Sequence, residues 1–241
     1  MFKNITAMAL LAVAVTGTAT AADISPEAIA LAKAVADKLA PAKTIKLTAT
    51  HKLDSAVGSN AKLDRGPLNI TVKRPNQCYV LQSAGDETRE LAFDGRTFCL
   101  MHPVLKIHAL EPLKAASIEE FADQLDERFG FRPPVAELLA NDLPKQLFTN
   151  ATSAKVTGRE WSGWTRCERL HIEQEGLTGD LWIGVKDRLP HRMLLTFTGV
   201  KGSPKWDIRL SNWELGATVD ESLFSKRPAE GSQKTKLLKS R

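Results

Sequence analysis

The stretch that decides the fold is residues 177–213, LTGDLWIGVKDRLPHRMLLTFTGVKGSPKWDIRLSNW. Apolar and polar residues alternate in three segments, and turns rich in Gly, Pro and Asp separate these segments. Such alternation predicts antiparallel strands, each with one apolar face and one mixed face. The residues that share the apolar face are Leu181, Ile183 and Val185, then Met193, Leu195 and Phe197, then Trp206, Ile208 and Leu210.

The same period of two recurs on both sides of this stretch. In residues 45–53 the apolar positions fall on one face together with His51, and the lysines and threonines fall on the other. The Asp94-Gly95 pair that follows an aromatic strand is a strong hairpin signal. We therefore expect about ten short strands. Beyond the first one, they are predicted at 68–73, 78–82, 88–93, 97–101, 104–110, 154–157, 166–174, 180–186, 191–198 and 206–213.

Two segments carry the periodicity of a helix instead. Ser25-Pro26-Glu27 begins the first helix, which ends before Pro41. Residues 117–120 form a capping box at the start of the second helix, which Gly130 ends. Two shorter helical segments are expected after it: one restarts at Arg132-Pro133-Pro134 and runs through Val135, Leu138 and Leu139, and the other spans 143–148. A sheet of ten strands must curl, and only these helices can cover its apolar side. We predict an α+β fold, a strongly curved antiparallel half-barrel with helices over the concave face.

The N-terminus has the pattern of a secretory signal peptide over residues 1–21. Lys3 supplies the positive region, residues 8–15 are apolar, and Ala19-Thr20-Ala21 is an A-x-A cleavage site. The apolar run is too short for a membrane span. We therefore expect export to the periplasm, with a single domain at 22–228.

The basic character of the chain belongs to its C-terminus. The formal net charge is +5, and residues 226–241 carry six basic side chains against Glu230. The rest of the mature chain is nearly neutral, so nucleic acid is not an expected partner. Residues 229–241 are expected to form a disordered tail. The tail is either a solvated terminus or a weak contact with anionic lipid headgroups, at about 1 kcal/mol per basic residue.

The polar residues give neither a catalytic motif nor a metal motif, and no cofactor is expected. The five His residues lack the spacing of metal ligands. One disulfide is plausible in an oxidising compartment. Alternation places Cys99 and Cys167 on the mixed faces of their strands, which makes Cys99–Cys167 the first choice over pairs with Cys78. The other interpretation is three unpaired thiols.

Several short motifs occur in this order along the chain: Asp94-Gly95-Arg96-Thr97, Leu181-Trp182-Ile183, Leu189-Pro190, Ser211-Asn212-Trp213, and Leu223-Phe224 followed by Pro228. On these motifs the chain resembles the DUF2092 family of predicted periplasmic proteins, which is similar to the LolA/LolB and RseB superfamily of lipoprotein-handling folds. The resemblance covers residues 24–228 and implies a LolA-like half-barrel whose hollow receives acyl chains.

These features favour a periplasmic carrier or binding protein for a lipid, an acyl chain or a lipoprotein. One alternative is an envelope interaction or sensory protein that uses the same fold without a ligand. A second alternative is a hydrolase whose triad is assembled only in space. The first hypothesis predicts a cavity lined by Leu47, His51, Phe93, Phe121, Leu125, Phe129, Ile183, Leu195, Trp206 and Ile208.

Overall fold

One large, open, curved sheet dominates the computed structural model, which describes residues 22–54, 56, 66–133 and 135–237. Thirteen strands form the sheet in these ranges. They are β1 Asp23–Ile24, β2 Thr44–Leu53, β3 Leu68–Lys73, β4 Gln77–Ala84, β5 Glu87–Phe93, β6 Thr97–His102, β7 Ile107–Pro112, β8 Ala151–Ser162, β9 Thr165–Gln174, β10 Leu177–Gly184, β11 Pro190–Thr196, β12 Lys205–Leu215 and β13 Gln233–Lys234.

The strand order shows two runs of hairpins that join into one sheet. From edge to edge the order is β1-β8-β9-β10-β11-β12-β2-β3-β4-β5-β6-β7-β13. The two runs meet where β12 pairs antiparallel with β2, which places Ile208 opposite His51. The edge strands β1 and β13 pair in parallel with β8 and β7.

The strand count of about ten was too low. The two additional strands, β1 and β13, contain two residues each, and two residues cannot display a period. The strand expected at 104–110 begins only at Ile107, because residues 103–106 form the turn from β6. The strand expected at 154–157 spans Ala151–Ser162, where bulges interrupt the alternation.

Three α-helices lie on the apolar side of the sheet, which we call the covered face. They are α1 Pro26–Leu39, α2 Ile118–Phe129 and α3 Leu143–Phe148. Ser25 and Ser117 accept hydrogen bonds from the first turns of α1 and α2, and Gly130 ends α2 with φ 70°. Short 3₁₀ helices follow at Ala136–Leu139 and Glu221–Leu223.

The C-terminal segment differs from the expected disordered tail. Gln233 and Lys234 pair in parallel with Ile107 and His108, and Leu237 packs against the main core. The edge of a sheet presents unpaired backbone groups, and this segment satisfies those of β7. Ordered structure in the described chain therefore continues past residue 228. The predicted signal peptide and the last four residues of the chain lie outside the described residues.

Candidate functional site

A cavity of about 350 Å³ lies between the covered face and the segment that runs from α2 through the first 3₁₀ helix. Strands β3 to β6 form its floor, and α2 and residues 131–139 form its roof. The residues that line it are Leu68, Ile70, Val72, Cys78, Val80, Gln82, Arg89, Leu91, Leu100, Ile118, Phe121, Ala122, Phe131, Pro133, Ala136, Leu139 and Leu237.

Strand register explains why these side chains meet. Ile70 lies opposite Val80, and Val80 lies opposite Leu91. Residues opposite each other in an antiparallel pair point to the same face, so branched side chains form a row across the floor. Gln82 and Arg89 form another such pair and reach the same cavity. They are the two polar side chains among its described lining residues.

A second cavity of about 710 Å³ lies under the other half of the sheet. Pro133 lines both cavities, so the segment that carries it lies between them. Arg132 at the rim forms ion pairs with Asp123 and Glu137. Both volumes lie in the range of ~300–1,000 Å³ that small-molecule sites occupy. The apolar wall of the second cavity contains Ile172, Leu177, Leu181, Met193, Leu195, Phe197 and Trp206.

A chain of polar side chains crosses the covered face beside the first cavity. Arg89 donates from Nε and Nη2 to Gln82 Oε1 at 3.2 and 2.5 Å. Gln82 Nε2 lies 3.4 Å from His51 Nε2, and Trp206 Nε1 donates to His51 Nδ1 at 3.3 Å. Polar groups on an apolar face are stable only with partners, and this chain runs from Arg89 and Gln82 at the first cavity to Trp206 in the wall of the second.

The structure brings three of the ten sequence-predicted residues to a cavity. Phe121 lines the first cavity, and Leu195 and Trp206 line the second. His51 lies beside them in the polar chain, held by Gln82 and Trp206.

The other six predicted residues line neither cavity. They are buried between the sheet and its cover, and the Phe93 ring stacks on Phe121. Alternation identifies the face of a strand, but it cannot separate the positions that touch a helix from those that face a gap. The six residues are Leu47, Phe93, Leu125, Phe129, Ile183 and Ile208.

Sequence reasoning missed the polar pair and most of the roof. Arg89 lies two residues from Leu91 in its strand, and Gln82 lies two residues from Val80, so each shares a face with an apolar residue. A charged side chain and an amide side chain on an apolar face are the signal from which the pair could have been found. The roof residues Val135, Leu138 and Leu139 were expected on a helix, but only the 3₁₀ helix Ala136–Leu139 forms there, and Leu237 lies in a segment without a period.

The expected Cys99–Cys167 disulfide is wrong, because all three cysteines are free. Cys99 lies on β6 and Cys167 on β9, with seven strands between them in the sheet order. Strands are spaced by ~4.8 Å, whereas a disulfide needs Cα atoms within ~7 Å. Cys78 lines the first cavity, where burial raises the pKa of its thiol to about 12.

The histidines on the outer face of the sheet pair with carboxylates instead of gathering at one point. His171 Nδ1 lies 2.8 Å from Asp180 Oδ1, and His191 Nε2 lies 2.8 Å from Asp187 Oδ2. Across the ranges given above, no group of three or more His, Cys, Asp or Glu residues could hold a metal ion. In the same ranges, no helix is both long enough and apolar enough to cross a bilayer.

Comparison with known families places the chain. No curated protein matches the sequence. Residues 28–238 match the family DUF2092, described as a predicted periplasmic protein. The chain belongs to the DUF2092 family. The resemblance inferred from the sequence motifs is thereby confirmed, and so is the location, since DUF2092 proteins are periplasmic.

Solved structures with a similar architecture share little sequence with this DUF2092 chain. The lipoprotein LppX of Mycobacterium tuberculosis is 11% identical with a TM-score of 0.48, over 81% of this chain and 98% of LppX. The MucA/MucB complex of Pseudomonas aeruginosa matches at 15% identity and a TM-score of 0.45, over 82% of this chain and 60% of that one. A LolA superfamily protein of Nitrosomonas europaea matches at 8% and 0.39, over 83% and 97%.

Proposed function

We propose that this periplasmic protein binds a lipid or an acyl chain in the cavity beneath α2, as a carrier or binding protein, and that it catalyses no step. The composition of the first cavity carries the proposal, since fifteen of its seventeen described lining residues are apolar or cysteine. Burying a hydrocarbon chain in such a site contributes about 0.8 kcal/mol per methylene. A ligand longer than this cavity extends past Pro133 into the second cavity.

The polar end of the ligand is proposed to lie at the edge where Gln82 and Arg89 meet. The positive charge of Arg89 favours an anionic head such as a carboxylate or a phosphate. The Gln82 side chain holds the guanidinium in place through two hydrogen bonds. Apolar walls with a few placed polar groups are typical of small-molecule sites, in which the polar groups fix the orientation of the ligand.

Helix α2 is not the proposed door. Phe121 and Leu125 of α2 are buried in the core, so moving the helix would expose a large apolar area. The roof residues 131–133 and 135–139 make a better candidate, because only Ala136–Leu139 among them form a short helical turn. Val135 in this segment has φ 62°, in the left-handed region that β-branched residues avoid. Such strain is found at segments that move, and we propose that entry occurs past this roof.

A pair of adjacent substitutions tests the proposal. Val80 points into the first cavity, and Leu81 packs on the outer face against a second buried cluster that includes Tyr79 and Phe224. We expect Val80→Trp to fill the cavity and to weaken the binding of a fluorescent fatty acid at least tenfold. Leu81→Trp adds the same bulk to the other face and leaves binding within twofold. Absence of uptake by the wild type, or equal loss in both variants, would contradict the proposal.

The processing of the N-terminus belongs to the same proposal. We propose that export removes residues 1–21 and that the mature domain begins at Ala22, just before β1. The intact mass of protein taken from the periplasm tests this directly. A mass that retains any of the first 21 residues would refute the proposed cleavage site.

A further inference from the structure

The two ends of the sheet differ in what they expose. Neighbouring strands run in opposite directions, so hairpin turns alternate between the ends. The register places the turn from β6 to β7 and the strand β13 at one end, together with Gln82 and Arg89. The turn from β8 to β9 lies at the opposite end. The first end is therefore the one at which the polar edge of the first cavity lies.

An apolar tip projects from the cavity end. Val104 is 54% exposed and Leu105 is 60% exposed. The Lys106 amide donates to the Pro103 carbonyl at 3.1 Å, and the Gln233 amide donates to the Lys106 carbonyl at 2.8 Å. These hydrogen bonds hold the turn in shape, so the exposure of two branched side chains is a fixed feature of the fold.

Three exposed lysines lie in this turn and on the C-terminal segment next to it. Lys106 lies in the turn, and Lys234 and Lys236 lie on the C-terminal segment that pairs with β7. All three are exposed, and none belongs to an ion pair among the residues described. The tip therefore combines exposed apolar side chains with a local positive charge.

The lysines are continuous with the wall of the cavity. Leu237 follows Lys236 directly and lines the first cavity beside Arg89. An external surface that binds Lys234 and Lys236 is therefore close to the cavity, because Lys236 and the lining residue Leu237 are adjacent in the chain.

We infer that Val104, Leu105, Lys106, Lys234 and Lys236 form a docking patch for an anionic lipid surface. The area that two apolar side chains can bury is far smaller than the ~800 Å² per partner of a stable protein interface, and lysine is depleted in such interfaces. Apolar residues flanked by lysines fit the boundary between headgroups and acyl chains. The inference deepens the proposed function and rests on it, since docking here sets the cavity against its source of lipid.

Co-sedimentation of the full mature chain with vesicles tests the docking patch. We expect binding to vesicles of phosphatidylglycerol and phosphatidylcholine, little binding to phosphatidylcholine alone, and weaker binding at high salt. The double variant Val104→Ser/Leu105→Ser should reduce binding at least tenfold. Each lysine changed to Gln should reduce it roughly fivefold. Wild type that stays in the supernatant, or that binds both vesicle types equally, would overturn the inference.

The opposite end of the sheet supplies the matched control. Trp161 and Trp164 are 68% and 99% exposed near the turn from β8 to β9, and they are the most exposed large apolar side chains among the residues described. The variant Trp161→Ser/Trp164→Ser should bind vesicles like the wild type. Loss of binding in this variant, with normal binding in the Val104→Ser/Leu105→Ser variant, would place docking at the end of the sheet that carries Trp161 and Trp164 and would overturn the inference.

A second readout separates this inference from the proposed function. Uptake of a fluorescent fatty acid from solution, without vesicles, measures the cavity alone. We expect the Val104→Ser/Leu105→Ser variant to take up the fatty acid like the wild type while it fails to sediment with vesicles. Wild type that sediments but takes up no fatty acid would leave the docking patch in place and refute the proposed function.

Discussion

The ring of Phe121 lies flat on the ring of Phe93, with centroids 3.9 Å apart and planes at 7°. Phe121 belongs to α2 and Phe93 to β5, so this stack joins the roof of the first cavity to the sheet. Both side chains are almost completely buried. The stack explains how a helix can cover an apolar face, hold its position and still leave a cavity beside it.

The first prediction concerns the stability of this roof. Phe121→Ala removes a buried aromatic side chain and, with it, the stack on Phe93. We expect the free energy of unfolding to fall by about 3–5 kcal/mol. Urea unfolding followed by circular dichroism measures the change. Trp164→Ala, which alters an exposed aromatic residue, should change stability by less than about 0.5 kcal/mol. Equal effects in the two variants would show that α2 is not anchored through Phe121.

The fold was predictable wherever a period existed. The alternation in residues 177–213 placed Ile183 and Ile208 on the buried face, and both are completely buried. The capping box at Ser117 and the glycine at 130 gave the bounds of α2. The edge strands β1 and β13 were not predictable, because their position depends on partners far away in sequence.

The candidate site was less predictable, because a cavity forms where side chains of neighbouring elements fail to pack against each other. Phe93 and Val80 both point to the covered face, yet Phe93 meets Phe121 while Val80 faces empty space. The difference depends on the path of residues 131–133 and 135–139, where the sequence predicts a helix and only the short 3₁₀ helix Ala136–Leu139 forms. Leu237 enters the cavity only because the tail pairs with β7.

The second prediction concerns the polar end of the cavity. Arg89→Gln should weaken binding of a fatty acid about tenfold or more, since hydrogen bonds to charged groups contribute about 1.5–3 kcal/mol. Binding of the fatty alcohol with the same chain should change less than twofold. Arg96→Gln, an exposed arginine beyond the other end of β5, is the matched control and should affect neither ligand. If both ligands weaken equally in Arg89→Gln, the arginine supports the cavity wall instead of recognising a head.

The third prediction concerns the thiols. Burial raises the pKa of Cys78 to about 12 and that of Cys167 to about 11, so at pH 8 almost no reactive thiolate is present. A disulfide-exchange reagent should therefore react slowly with the folded protein. In denaturant it should detect three thiols per chain. Detection of a single thiol would demonstrate a disulfide and contradict the free cysteines.

The fourth prediction concerns acid stability. Burial alone raises the pKa of Asp180, but hydrogen bonds from Arg169 and His171 outweigh burial and hold that pKa below its ordinary value. A lowered pKa in the folded state stabilises the protein above the unfolded pKa of ~3.9, and this stabilisation disappears as the pH falls through the folded pKa.

Asp180→Asn provides the measurement. At pH 7 we expect the variant to be less stable than the wild type by about 3 kcal/mol. Arg169 and His171 lose the negative charge of their buried partner when Asp180 becomes Asn. At pH 3, below the unfolded pKa of ~3.9, the difference should be smaller, and it should disappear once the pH falls below the folded pKa. Urea unfolding at both pH values measures the two differences. A gap that stays constant with pH would show that the Asp180 charge does not stabilise the fold.

The most direct test of the account is native mass spectrometry of protein purified from the periplasm without detergent. The account predicts a second population, heavier than the mature chain by the mass of a lipid or fatty acid, which Val80→Trp depletes and Leu81→Trp retains. A wild-type spectrum that holds only the bare chain, together with no uptake of added fatty acid, would contradict it.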